Sequence, residues 1–213
     1  HKEEFETSSF WKKNAHLLLV FYLHDKDLDL LDYLIKLVDD WQYPNEDLKI
    51  IKQDWEFINQ KIKDGKAHEL SEGDTFYLGA CTKGSTALKS FRDQPFNEEQ
   101  AKQRAYSLKQ GYVNHIIANI AQEETAVYGK IIEQPEILEK VRSIEEIVIL
   151  KFHPFYGKSA EQIEQELGLE LNQKAKSYFA NLTNAILGLE LGQKIEEFEK
   201  ADIQVKTIRL KEN

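Results

Sequence analysis

A single cysteine, Cys81, stands among 213 residues, which excludes an intrachain disulfide and fits a reducing cytoplasm. Long hydrophobic runs are missing too. The longest, Leu17 to Leu23, falls far short of the roughly 20 residues a membrane-crossing helix needs, and no basic-then-apolar leader opens the sequence. No membrane association is expected. The usual chemical motifs are also scarce. The six histidines are scattered without ligand spacing. His68-Glu69 opens like a zinc-protease helix but places Glu72 where the second histidine belongs, so no metal site follows from the sequence. There is no phosphate-cradling glycine loop and no serine elbow. Cys81 lacks a histidine at any motif-defining spacing and reads as a small, mostly buried thiol. Positive charge is in deficit: 28 Lys and Arg face 37 Asp and Glu, a net of −9, which for the whole chain speaks against nucleic acid.

What is there has the balance of a globular domain, with 41% hydrophobic and 31% charged residues. The charge is segregated. From His24 to Asp74 seven lysines stand against fourteen acids, whereas from Cys81 to His115 six bases (Lys83, Lys89, Arg92, Lys102, Arg104, Lys109) stand against three acids. Both stretches can be solvated faces, but the basic island is where phosphate contacts are to be sought.

Leu17 to Leu23, apolar at every position, reads as a strand covered on both faces. Asp25 to Asp32 reads as a solvated loop. Beyond Pro44, Leu48, Ile51, Trp55, Ile58 and Ile62 recur at spacings of three and four and predict a helix that stops at Gly65. Thr75 to Ala80 predicts a strand after the turn residues Glu72-Gly73-Asp74. A break at Gln94 to Asn97 precedes a short helix over Glu98 to Gln103, a strand over Ala105 to Lys109, and a helix from Tyr112 to Ile120. From Ala121 to Lys151 helical segments rich in Glu and Lys dominate. Ser159 and Gln162 form a capping box, Gly168 breaks the helix it starts, and Lys174 to Leu187 reads as a second helix. Ile203 to Ile208 alternates as a half-buried strand does. A domain boundary is expected between Ala121 and Ser143. The helix pair of Ser159 to Leu187, bearing Lys174 and Lys176, could be a helix-turn-helix DNA reader or a packed helix hairpin.

Asp54-Trp55-Glu56, His68-Glu69-Leu70-Ser71-Glu72-Gly73, Tyr77-Leu78, Cys81-Thr82-Lys83-Gly84 and Arg104-Ala105-Tyr106-Ser107-Leu108-Lys109 follow one another in an order that resembles the type II restriction enzymes cutting at GATC and related to the mismatch-repair nuclease MutH. The resemblance covers most of the chain. It implies an α/β fold, mixed α+β, with a mixed central sheet flanked by helices. Residues 1–121 resemble the C-terminal part of a first, catalytic MutH-like domain, 122–142 a linker, and 143–213 the N-terminal part of a second MutH-like domain.

The resemblance also implies a chemistry: magnesium-dependent hydrolysis of double-stranded DNA at GATC, with Asp and Glu holding the ion and a Lys two residues after the Glu. For the first domain that signature would lie before His1, so the stretch in hand is expected not to cut DNA unaided. In the second domain the aligned positions are Glu197, Gln204 and Lys206, and a further family carboxylate falls at Asn184. Amides carry no charge to hold a divalent cation, and the second copy is expected to be catalytically degenerate. Lys13 aligns with a family active-site lysine. Lys83 falls in a DNA-contacting loop, although Cys81 and Thr82 stand where the family places Arg-Pro. Ser107 replaces a tyrosine that touches the target sequence. Lys176 and Ser177 align with a Lys-Gly pair used in DNA contact. Arg104 and Lys109 are candidate phosphate contacts on charge, with solvated surface the plainer reading. A dimer induced by DNA is a further expectation, because cutting two strands takes two active sites acting together or in turn.

Overall fold

The computed structural model describes residues 4–84, 90–121, 127–132, 141 and 143–208. Lys89 of the basic island and most of the 122–142 stretch lie outside the described residues. The chain divides into two compact units, His1–Glu123 and Glu124–Asn213. Both mix helices with short strands, the α/β character expected, and among the described residues the strands pair in twos instead of forming one broad sheet. No helix among the described residues is long and apolar enough to cross a membrane.

In the first unit, α1 (Ser9–Asn14) begins at Ser8, whose side chain accepts from the Trp11 amide. It leads into β1 (Leu17–Tyr22), which pairs antiparallel with β2 (Ile35–Trp41). Next comes α2 (Asn45–Lys63), beginning just past Pro44, with Glu46 and Asp47 in its first turn and Lys61 and Lys63 in its last. Ile51, Trp55 and Ile58 of the predicted stripe are buried and Leu48 and Ile62 half-buried, while Ile50 beside the stripe is buried too; each buried side chain contributes roughly 1.5–3 kcal/mol. The helix stops where Gly65 turns left-handed at φ +72; a Cβ there would sit 2.6 Å from the Phe96 carbonyl oxygen.

That stripe packs on β3 (Leu78–Thr82), which pairs antiparallel with β6 (Arg104–Leu108). Between them β4 (Phe91–Gln94) and β5 (Asn97–Lys102) form a hairpin, and α3 (Gln110–Ile120) follows. Tyr112 of α3 stacks between Tyr77 and Tyr43, at ring distances of 4.9 and 6.3 Å, and donates its hydroxyl to buried Asp47 at 3.0 Å.

Two expectations for this unit are corrected. Glu98 to Gln103 is not helical. Of the β5 residues only Ala101 is buried, so a helix there would have had no face to bury. Side chains fix the hairpin instead: Asn97 donates to the Gly65 carbonyl at 2.9 Å, and Gln94 bonds both Ala67 and Glu99 backbone. Nor is β1 covered on both faces: Leu18, Val20 and Tyr22 are exposed.

In the second unit, β7 (Tyr128–Gly129) lies parallel to β8 (Lys194–Ile195). The helices are α4 (Ile144–Phe152), α5 (Ala160–Leu167), α6 (Tyr178–Ile186) and α7 (Glu196–Lys200). The capping box on α5 is present as expected, and Gly168 closes the helix in a left-handed conformation. Helix α6 starts later than Lys174, because the Asn172 side chain accepts from the Lys174 amide at 3.1 Å and holds a turn that competes with helix. Ile203 to Ile208 is a second correction of type. No described strand pairs with it, and its first amide returns to the Phe198 carbonyl at 2.8 Å.

Candidate nucleic-acid interface

The basic island falls on the paired strands β3 and β6 and the hairpin between them, and the structure sorts its cations into two kinds. Arg104 lies opposite Thr82 at one end of the β3–β6 ladder. Its guanidinium turns inward: Nη1 donates to the Ala80 carbonyl at 2.6 Å and Nη2 to the Leu70 carbonyl. Lys109, at the other end, donates its ammonium to the Thr75 carbonyl and its amide to Tyr77 at 2.8 Å. Both candidate phosphate contacts therefore hold loops against the sheet. A cation bonded to buried carbonyls is poorly placed to neutralise a phosphate as well.

Lys83 is different. Its amide is fixed to the Gln103 carbonyl at 2.8 Å, one residue past β3, while its side chain is exposed. Lys102, at the end of β5, is exposed as well, and so is Arg92, which spends one nitrogen on the Phe91 carbonyl at 2.7 Å. The ladder places Arg92 opposite Ala101, next to Lys102. Arg92 and Lys102 belong to the basic island but are not singled out by the sequence; Lys102 falls in the stretch Glu98 to Gln103 that the sequence reads as a helix. Ser107 is half-buried in β6 opposite Gly79 and donates to its neighbour's carbonyl at 3.2 Å. Lys13 is exposed in the last turn of α1, just before β1.

Carboxylates divide in the same way. Asp54, fully buried on α2, accepts from the amides of Phe76, Tyr77 and Leu78 at 2.9, 2.7 and 2.9 Å. Burial pushes its carboxyl up to about 7, against the pull of the three amides and of the Lys109 ammonium. It ties α2 to the entry of β3.

In the second unit Glu197, 3% exposed on α7, accepts from the Ile131 and Ile132 amides at 3.1 and 2.9 Å. Gln204 and Lys206 lie exposed in the extended segment after α7, and Lys176 is exposed in the turn before α6. The residues present do not fit a divalent ion: both Glu197 oxygens face backbone donors, Gln204 brings no charge, and no group of three acids, histidines or cysteines among the described residues could hold one.

The helix pair α5–α6 is joined by residues 168–177, longer than the three or four residues of a helix-turn-helix. This favours the packed hairpin over the DNA reader. Tyr178 and Leu182 of α6 are buried, as is Ile163 of α5, so much of the apolar surface of the pair is spent on packing.

Comparison with known proteins agrees with the residue pattern. The family described as "DNA mismatch repair enzyme MutH" matches residues 1–54. The type II restriction enzyme Sau3AI of Staphylococcus aureus is 41% identical over 216 residues, an alignment covering 97% of this chain and 43% of that protein. The chain thus spans less than half the length of this relative. The likeness runs almost from end to end of this chain, which is similar to a type II restriction enzyme and, over its first quarter, to MutH.

Proposed function

We propose that this chain is a duplex-binding part of a type II restriction endonuclease that cleaves both strands at GATC with magnesium, and that it does not itself complete the catalytic centre. The observation that carries this reading is the 41% identity to a type II restriction enzyme across 97% of the chain. Residues 1–121 would be the C-terminal part of the catalytic domain, 122–142 a linker, and 143–213 the start of a degenerate second domain that binds another copy of the site. The setting is the cytoplasm.

In this reading Lys83, Lys102 and Arg92 contact phosphates beside the β3–β6 ladder, since they are the exposed cations there. Lys13 is the candidate active-site lysine of the first unit, and Lys176 is a further contact on the second. Arg104 and Lys109 position the loops that carry the contacts, and Ser107 sets the strand facing them. The ion would polarise the scissile phosphate in the complete enzyme; no residue set described in this chain holds it.

The test is titration of a short GATC duplex and a scrambled duplex at two salt concentrations. Specific binding requires tighter association with GATC, and the log-log salt slope should report phosphate contacts at about 0.9 each. Equal affinity for both duplexes would sink the proposal. A looping role for the second unit requires DNA with two sites to be cut faster by the complete enzyme than DNA with one. Sedimentation of the chain with and without the GATC duplex tests the DNA-induced dimer.

A further inference from the structure

The hairpin of β4 and β5 is held at its two ends by different means. At its base the Gln103 amide donates to the Ser90 carbonyl at 2.6 Å, and the Gln103 carbonyl accepts from the Lys83 amide at 2.8 Å. At its tip, where Gln94 stands opposite Asn97, side chains reach across to the turn that follows α2. Gln94 is buried, and every polar atom of its side chain is used. Its Oε1 accepts from the Ala67 amide at 3.0 Å, and its Nε2 donates to the Glu99 carbonyl at 2.7 Å and faces His68 Nδ1 at 3.1 Å. His68 opens the His68-to-Gly73 string, and no chemistry argued so far uses its ring.

That geometry fixes where the ring carries its proton. Turning the Gln94 amide over would set its NH2 against the Ala67 N–H and its oxygen against the Glu99 carbonyl, so the amide has one orientation. Nδ1 must then accept, and the single proton of the neutral ring sits on Nε2, 3.4 Å from Glu99 Oε2. A second proton, on Nδ1, would set donor against donor. The charged ring would gain from Glu99 and from Glu69, 3.9 Å away on its own turn, but these acids are 64% and 49% exposed. Exposed Lys66 opposes the charge, as does Lys61 of α2, which bonds Asp74 at 2.8 Å and the Glu69 carbonyl at 3.3 Å. Asp93 of β4 accepts from Gln100 at 2.9 Å. Exposed ion pairs are weak, whereas a buried amide facing another donor is costly. The loss at Gln94 wins.

We propose that His68 and Gln94 form a proton-operated latch on the hairpin. With the ring neutral, Gln94 pins the tip to the turn at residues 65–69. A proton on Nδ1 drives the Gln94 amide from its place, the Ala67 amide and the Glu99 carbonyl lose their partner, and the tip swings about a base that the Gln103 bonds keep closed. The Asn97 bond to the Gly65 carbonyl, at 2.9 Å, takes up no proton and limits how far the tip moves. Neither DNA binding nor cleavage enters into this, so the latch stands or falls apart from the function proposed above.

The test follows the whole chain by NMR from about pH 8 to about pH 5, the span in which a histidine changes charge. The Ala67 amide should shift in one step together with the His68 ring. At the acid end its hydrogen exchange should be about tenfold faster than in His68→Asn at the same pH, the effect of one buried bond lost. His68→Asn keeps an acceptor facing Gln94 and cannot take the charge, so its Ala67 amide should show no step, and comparison at equal pH cancels the intrinsic pH dependence of exchange. Gln94→Ala removes the latch and should exchange fast at Ala67 across the whole range. An equal step in the wild type and His68→Asn overturns the proposal, and so does wild-type protection of Ala67 in Gln94→Ala. Titration of the His68 ring with Ala67 still protected overturns it too, because the ring would then swing out while Gln94 keeps its backbone bonds.

Discussion

Replacing Asp54 by Ala removes the acceptor for three buried amides at once, those of Phe76, Tyr77 and Leu78. A buried donor left without a partner costs about 1–3 kcal/mol, and relief from burying a charge offsets part of the sum, so a loss of about 3–6 kcal/mol is expected. The pH dependence gives a sharper test. The folded carboxyl titrates near 7, above its unfolded value of 3.8, so the native state holds the proton more tightly. Its contribution to stability is then fully present below about pH 4 and is lost as pH rises through 7, by at most ~1.4 kcal/mol per unit and about 4 kcal/mol in all. Urea denaturation of the wild type and of Asp54→Asn, which stays neutral, isolates this group. The wild type's advantage over Asp54→Asn should shrink between pH 5 and pH 8. An advantage that grows across that window would refute the reasoning, because it would mean that the three amides outweigh burial and hold the carboxylate ionised.

Other substitutions separate the roles argued for the charged residues. Arg104→Ala strands the Ala80 and Leu70 carbonyls and should lower stability by about 2–4 kcal/mol while leaving the salt slope of DNA binding unchanged in those molecules that fold. Lys83→Ala should do the reverse, reducing that slope by about 0.9 with the melting temperature unmoved. Glu197→Gln keeps one acceptor for two amides and should cost about 1–3 kcal/mol in chemical denaturation without changing affinity for the GATC duplex. Gly65→Ala places a methyl 2.6 Å from the Phe96 oxygen in a left-handed turn, and thermal melting should show a loss of about 2–3 kcal/mol.

The elements that read correctly from sequence are those decided locally. The α2 stripe, the capping box of α5 and the stops at Gly65 and Gly168 each depend on residues within a few positions of one another. The misread ones were decided at a distance. Glu98 to Gln103 is rich in helix formers, yet Asn97 and Gln94 bond backbone at Gly65 and Ala67, some thirty residues back in sequence, and hold a hairpin. Ile203 to Ile208 alternates like a strand, but alternation supplies only a face. A strand also needs a partner, and none of the described strands pairs with this segment.

The candidate site was legible as a region and illegible as a set of roles, for one physical reason. Charge is visible in sequence, whereas what a charge is bonded to is not. Arg104, Lys109 and Lys83 share one basic island, but only Lys83 has its cation turned to solvent. Among the acids, Asp54 and Glu197 would each pass for a nuclease carboxylate by residue type, yet five backbone amides take up their oxygens. An ion needs lone pairs that nothing else has claimed, and a phosphate needs a cation still free to desolvate against it. The residues that tie this chain's loops together are of the same types as those a nuclease uses for its chemistry. A buried salt-like bond to backbone therefore marks a scaffold role more reliably than sign or alignment marks a catalytic one. On the function proposed above, the exposed Lys83 and Lys102 would meet the duplex, and cleavage would need carboxylates that this chain's described residues do not bring together.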